Sequence, residues 1–253
     1  MIFGLFVYKL EKISVNHYII ASIISYFMAM AGSAGILMNN IPRRTEELFQ
    51  TIKEIFKYGF FAESGNILQL LAYRLNYFVI NKWLGLAALG EFSLAVQLTE
   101  GLRLFSKGVA TVEYSYFSNS DSFKENVAIT RKSIVYSLVF TFTGLLVLLV
   151  IPTSVIQSFF GEEFHQTRLI VSLLAPGILL LSAGTIITPF FSGQGKHYVN
   201  AIGSAICFIV TALLSFILIP WLGISGAAIV NTLAYSALTV YLYLTYKKHL
   251  RFI

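Results

Sequence analysis

Apolar and polar positions alternate along this chain on a long scale: continuous apolar runs of about 20 residues, the length a helix needs to cross a bilayer, are separated by short polar breaks. The runs do not alternate residue by residue as barrel strands do, and in lipid only helices or closed barrels satisfy every backbone group, so the expected spans are helical. They are expected at 17–38, 58–80, 88–112, 133–159, 168–191, 198–219 and 223–246. In the first, Ile23, Ile24 and Phe27 give the apolar character, with Gly32 and Gly35 as small contact residues. Pro152 predicts a kink late in the fourth and Pro176-Gly177 a bend in the fifth, while Pro220 ends the sixth. The fold class that follows is all-α, a polytopic helical bundle of about seven spans.

The polar breaks set the organisation. Residues 1–13 are too short to span and lack a small-residue cleavage site, so no signal peptide is expected. Residues 1–38 read as a loop and one helix, and 39–57 as an amphipathic surface linker, with Phe49, Ile52, Ile55 and Phe56 between charges. Residues 58–246 form a six-helix lobe and 247–253 a basic tail. Alternating breaks differ in charge. One set holds Arg43, Arg44, Lys53, Lys57, Lys124, Arg131, Lys132, Lys196, Lys247, Lys248 and Arg251; the other holds Lys9, Lys12, Lys82 and Arg168. The positive-inside rule then puts the first set, and the C-terminus, in the cytoplasm.

Composition narrows the class further. At 57% hydrophobic and 12% charged residues, the chain has about half the charged share usual in a soluble domain. The net charge of +6 comes from short loops, where orientation and anionic headgroups explain it, so no nucleic-acid partner is expected and membrane lipids are. Cys207 is the single cysteine, and no Cys/His cluster has metal-ligand spacing; no metal and no cofactor are expected. Nor is there a P-loop for ATP.

Charges inside the second and third spans stand out, because each costs roughly 2.5–3.5 kcal/mol at the centre of a membrane. At 100° per residue, Glu63 and Arg74 fall about 20° apart, with Asn66 beside them. Ser93, Gln97, Glu100, Arg103 and Lys107 share a sector of about 120° on the next helix. Two polar stripes predict a water-filled cavity. Antiparallel helices would put Glu63 level with Lys107 as an ion pair, and Glu100 between Arg74 and Arg103. Glu91 and Glu113, near the two interfaces, are expected to be solvated. His17, His165, His197 and His249 read as interfacial side chains, and Tyr114, Tyr116, Phe117 and Trp221 as aromatic belts.

Three short motifs carry a family resemblance: the turn at Gly161, Glu162 and Phe164, the turn Gly193-Gln194-Gly195-Lys196, and Pro220 followed by Gly223-Ile224-Ser225-Gly226-Ala227-Ala228. In this order and spacing they resemble the C-terminal half of Wzx-type flippases, of the multidrug/oligosaccharidyl-lipid/polysaccharide exporter superfamily. The resemblance implies two six-helix lobes around a central cavity. On that mapping the chain supplies the last helix of the first lobe, the linker and the whole second lobe. A second lobe alone would expose its polar face to lipid, so a fragment is expected, or else another chain that completes the cavity.

The implied activity is transport rather than catalysis: moving an oligosaccharide linked to undecaprenyl diphosphate across the bacterial inner membrane for O-antigen or other surface polysaccharide. Arg74, Arg103 and Lys107, with Gln97 and Asn66, would meet the diphosphate, and Glu63 or Glu100 would couple the step to an ion. Partners would be the remaining lobe or polysaccharide-assembly proteins. A multidrug cation antiporter or a peptidoglycan-precursor flippase is the nearest alternative, although a cation extruder should have an acidic cavity. A membrane polymerase or ligase would need a larger outward loop than the breaks here allow.

Overall fold

Four helices are long and apolar enough to cross a bilayer, within Glu63–Phe117, Phe123–Val150, Thr167–Ser192 and His197–Leu250. The computed structural model describes residues 15–40, 48–120 and 122–251, all helix and short turns, with no strand among them. The expected N-terminal loop, Pro42, Arg43 and Arg44 lie outside the described residues, as do the side chains of Phe49, Ile52 and Ile55. The chain is an all-α, multi-pass membrane protein. It divides into two units, Met1–Lys53 and Glu54–Ile253. In the first, helix α1 (Val15–Asn40) carries the apolar stretch Ile19–Gly35.

The second unit is built from two helical hairpins with two single helices between them. Helix α2 (Leu48–Phe117) reverses at Gly85, where φ is 85°. The ring of Tyr77 meets that of Phe92, and Arg103 reaches Tyr73, so the two arms run antiparallel from that point. Helix α6 (His197–Arg251) does the same at Gly223, φ 61°. A positive φ is unstrained only for glycine, which is why each reversal takes a single residue. Beside the second, Gly226 lies so close to the Leu218 carbonyl that no Cβ fits. Ala227 and Ala228 are fully buried, as small residues at a helix contact should be. Pro220 is accommodated within α6, and the chain turns three residues later.

Between the hairpins lie α3 (Phe123–Val150), the short α4 (Thr153–Phe160) and α5 (Thr167–Ser192). Two expectations are corrected here. The fourth span begins ten residues earlier than predicted, because Phe123, Val127 and Ile129 pack on the core and Asn126 and Thr130 are buried. It also ends at Val150. Ile151 is extended and Pro152 starts a separate helix, since proline disfavours helical geometry in the residue before it. By contrast, α5 stays helical through Pro176. Its glycines serve packing: a Cβ on Gly177 would lie 2.6 Å from the Thr232 Cα, and one on Gly184 would lie 2.7 Å from the Thr239 hydroxyl. Both pairs are offset by the same number of residues, so α5 and the second arm of α6 run parallel. Thr232 and Thr239 donate to the carbonyls of Leu173 and Leu180, at 2.6 and 3.1 Å.

Strict alternation gives the bundle two ends. Gly85, residues 151–166 and Gly223 gather at one, where the Glu91 carboxylate accepts the backbone N–H of Gln166. Residues 118–120, Ser122, residues 193–196 and the end of α6 gather at the other. There the Lys196 Nζ donates to the His249 Nε2 at 2.6 Å, and His249 packs among Phe123, Phe190 and Phe191. Partial burial lowers the Lys196 pKa. Lys124, Arg131, Lys132, Lys196, Lys247 and Lys248 belong to this end, against Lys82 and Arg168 at the other.

Candidate functional site: a cationic cleft

A cleft of about 710 Å³ lies between both arms of α2, α5 and both arms of α6. Its polar lining includes Asn66, Gln69, Arg103, Lys107, Thr185, Thr188, His197, Asn200 and Ser204; among the described residues no carboxylate lines it. The wall is spaced by helical repeat. Asn66, Gln69 and Tyr73 follow one another at three- and four-residue steps on the first arm of α2, and Gly65 packs against the Ala201 backbone, which draws that arm onto α6.

Arg103 is the chemical centre. It is only 5% exposed, yet it lines the cleft. One guanidinium nitrogen donates to the Tyr73 hydroxyl at 3.2 Å and lies 3.8 Å from Glu100, while Nε has no hydrogen-bond partner. A guanidinium offers five donors in a planar fork, and a single contact at 3.8 Å is an ion pair without a hydrogen bond. Arg103 therefore keeps donor capacity for an anion. Behind it, Glu100 accepts from the Tyr235 hydroxyl at 3.2 Å, and the rings of Tyr73 and Tyr235 meet edge to face. The pair is thus held by two phenols from different arms.

Of the predicted site residues, Asn66, Arg103 and Lys107 come together at the cleft, with Glu100 next to Arg103. Glu63, Arg74 and Gln97 are exposed and do not line it. The expected Glu63–Lys107 pair is not formed; among the described residues the ion pair is Arg103–Glu100. The difference is one of rotation about the helix. Gly65 faces α6, so Glu63, two residues away and about 200° round the helix, points elsewhere. Asn76, buried against Asn231, turns Arg74 outward in the same way.

Glu91 and Glu113 also depart from expectation. Both are 4% exposed. Glu91 sits at the start of α5, where a carboxylate complements unpaired backbone N–H groups and the helix dipole. Glu113 is buried beside Ser133 of α3. The tyrosines were missed as site residues. Tyr235 had a signal, since Asn231, Tyr235 and Thr239 recur every four residues along one face of an apolar helix.

Residues 12–169 match the family model described as polysaccharide biosynthesis protein. The chain belongs to this polysaccharide flippase-type family. Among curated relatives, it is 25% identical over 120 residues to the capsular polysaccharide biosynthesis protein CapF of Staphylococcus aureus, covering 47% of this chain and 30% of that protein. It is 23% identical over 195 residues to the probable low-salt glycan biosynthesis flippase Agl15 of Haloferax volcanii, covering 76% of this chain and 41% of the relative. The chain thus spans less than half the length of either. No solved structure matches it.

Proposed function

We propose that this chain forms the C-terminal lobe of a flippase that carries oligosaccharide repeat units on undecaprenyl diphosphate from the cytoplasmic to the outer leaflet of a bacterial inner membrane. The observation that carries this reading is the cleft, basic and free of carboxylates, with a buried guanidinium whose Nε is uncommitted. Arg103 and Lys107 take the diphosphate, Arg in the two-pronged manner suited to phosphate oxygens, and Asn66 and Gln69 offer amides to the sugar. Arg74, Gln97 and Glu63, exposed on the α2 hairpin, face the first lobe across the central cavity. Residues 1–38 supply the last helix of that lobe, 39–57 the linker, 58–246 the second lobe and 247–253 a cytoplasmic tail. Rocking of the two lobes exposes the cleft to each side in turn. The names of the relatives, a capsular polysaccharide biosynthesis protein and a probable glycan biosynthesis flippase, support a role in glycan transport.

The test is complementation. In cells dependent on this transporter for surface polysaccharide, Arg103→Ala should abolish the polymer and Arg103→Lys should leave a small fraction, with membrane protein levels unchanged. Wild-type polymer from Arg103→Ala would refute the reading. A drug-cation antiporter is disfavoured by the same lining, which offers a cation no carboxylate.

A further inference from the structure

The polar groups along the cleft divide by the hydrogen-bond capacity they have left. On the second arm of α2, Arg103 and Lys107 only donate, since neither a guanidinium nor an ammonium has an acceptor. On α5 the reverse holds. Thr185 and Thr188 both line the cleft, and each spends its one hydroxyl proton on its own helix, on the Leu181 and Gly184 carbonyls at 2.8 and 2.9 Å. What each retains is an oxygen with a lone pair and no free hydrogen.

Asn200, on the first arm of α6, adds a third acceptor. Its Nδ2 gives one N–H to the Thr188 carbonyl at 3.1 Å and the other to the Ser192 Oγ at 2.7 Å. Because a carbonyl only accepts, the Thr188 contact fixes which end of the amide faces α5. The other end, Oδ1, is buried without a hydrogen-bond partner, on a side chain that lines the cleft. It lacks a donor that a ligand group seated against Asn200 can supply. Thr188 lies five residues before Gly193 and Asn200 four after Lys196, which puts these acceptors within about two helical turns of the basic end.

Three acceptors with no proton to give repel phosphate oxygens, which are acceptors themselves. They suit an uncharged group rich in O–H or N–H donors, whereas Arg103 and Lys107 suit an anion. Asn66 and Gln69 carry both donors and an acceptor in each amide, and so favour neither. One ligand chemistry meets both demands: a sugar joined to phosphate.

We infer that Thr185, Thr188 and Asn200 form a sugar subsite, which accepts hydroxyl or amide protons from the sugar attached to the diphosphate while Arg103 and Lys107 hold the phosphates. This rests on the phosphate-binding reading of the cleft and adds an orientation and a selectivity. The sugar lies against α5 and α6, and a sugar whose hydroxyls are missing or capped leaves the three acceptors unpaired and is rejected.

The experiment measures binding to the 253-residue chain in nanodiscs with two probes that share a chain and a diphosphate: farnesyl diphosphate, and farnesyl diphosphate carrying one glucose. The readout is the ratio of the two affinities, in which the contribution of the farnesyl chain cancels. Thr185→Val combined with Thr188→Val keeps the shape and removes both oxygens; each hydroxyl bonds within its own helix, so the change breaks no bond between helices. The ratio should fall about tenfold from its wild-type value, the loss expected for unpaired hydroxyls. Asn200→Leu, which also cuts a tie between α6 and α5, should move the ratio the same way. A ratio unchanged in the double threonine variant, with both probes still weakened by Arg103→Gln, would overturn the subsite and leave the cationic cleft standing. Affinities indifferent to Arg103→Gln would overturn both. Glucose 1-diphosphate, the same headgroup without the chain, separates the ligand's source: weaker binding than the farnesyl-linked sugar assigns the subsite to a lipid-linked sugar, and equal binding to a free sugar diphosphate.

Discussion

Asn76 and Arg103 illustrate how polar side chains are held in this bundle. Asn76 donates to the Asn231 Oδ1 at 2.7 Å and faces the Ser215 hydroxyl at 3.4 Å, joining three arms at a site 1% exposed. Asn76→Leu should lower stability in detergent by about 1–3 kcal/mol, the penalty for stranding a buried partner. Asn76→Leu with Asn231→Leu should recover part of it, read from thermal unfolding of the two variants. Arg103→Ala strands Glu100 less severely, because that carboxylate is partly exposed; stability should fall by roughly 1 kcal/mol while transport is lost, and the two readouts separate function from folding. The charges themselves were legible as costly residues on shared helical faces. Which way each face turned was not. Rotation depends on contacts such as Gly65 against Ala201 and Asn76 against Asn231, between residues far apart in the chain, and periodicity within one helix holds no record of them.

Contact between elements is set by small residues at a repeating interval. Gly177 and Gly184 lie seven apart on α5, opposite Thr232 and Thr239 on α6. A methyl group at Gly177 meets backbone rather than a movable side chain, so Gly177→Ala should cost about 1–3 kcal/mol through overpacking. Gly90, on α2, has no atom within 4 Å of a notional Cβ, and Gly90→Ala there should be neutral or stabilise by up to about 1 kcal/mol. Thermal melts of the two variants side by side check both signs. The Pro220-to-Ala228 motif was legible as a packing face, and Ala227 and Ala228 are fully buried there. Its further role, a reversal made by one glycine at φ 61°, was hidden because the apolar pattern runs straight through it. Glu91 was misplaced for the opposite reason: distance along the helix said interface, while the turn before α5 folds over it.

For the molecule as a whole, the two ends differ in charge as the loop count anticipated, and the proposed orientation puts the basic end in the cytoplasm. Cys207 is 1% exposed, so the wild-type chain should be silent to an impermeant maleimide applied to cells. Ala87→Cys, beside the Gly85 reversal, should label from outside, and Lys248→Cys only after permeabilisation; the reverse pattern would invert the orientation. The hairpins also differ in a way that bears on assembly during synthesis. Between His197 and Tyr246 the α6 hairpin has no Asp, Glu, Lys or Arg, whereas α2 carries Glu63, Arg74, Lys82, Glu91, Glu100, Arg103, Lys107 and Glu113. Each hairpin reverses on a single glycine, so each can enter the bilayer as a pair of helices. Only α6 enters without charge to neutralise. The α2 hairpin leaves the ribosome first, but the Gln166 N–H for Glu91 and the Tyr235 hydroxyl for Glu100 are made 75 and 135 residues later. Until they arrive Glu91 and Glu100 lack those two donors, so the first hairpin of the unit is the last to be settled.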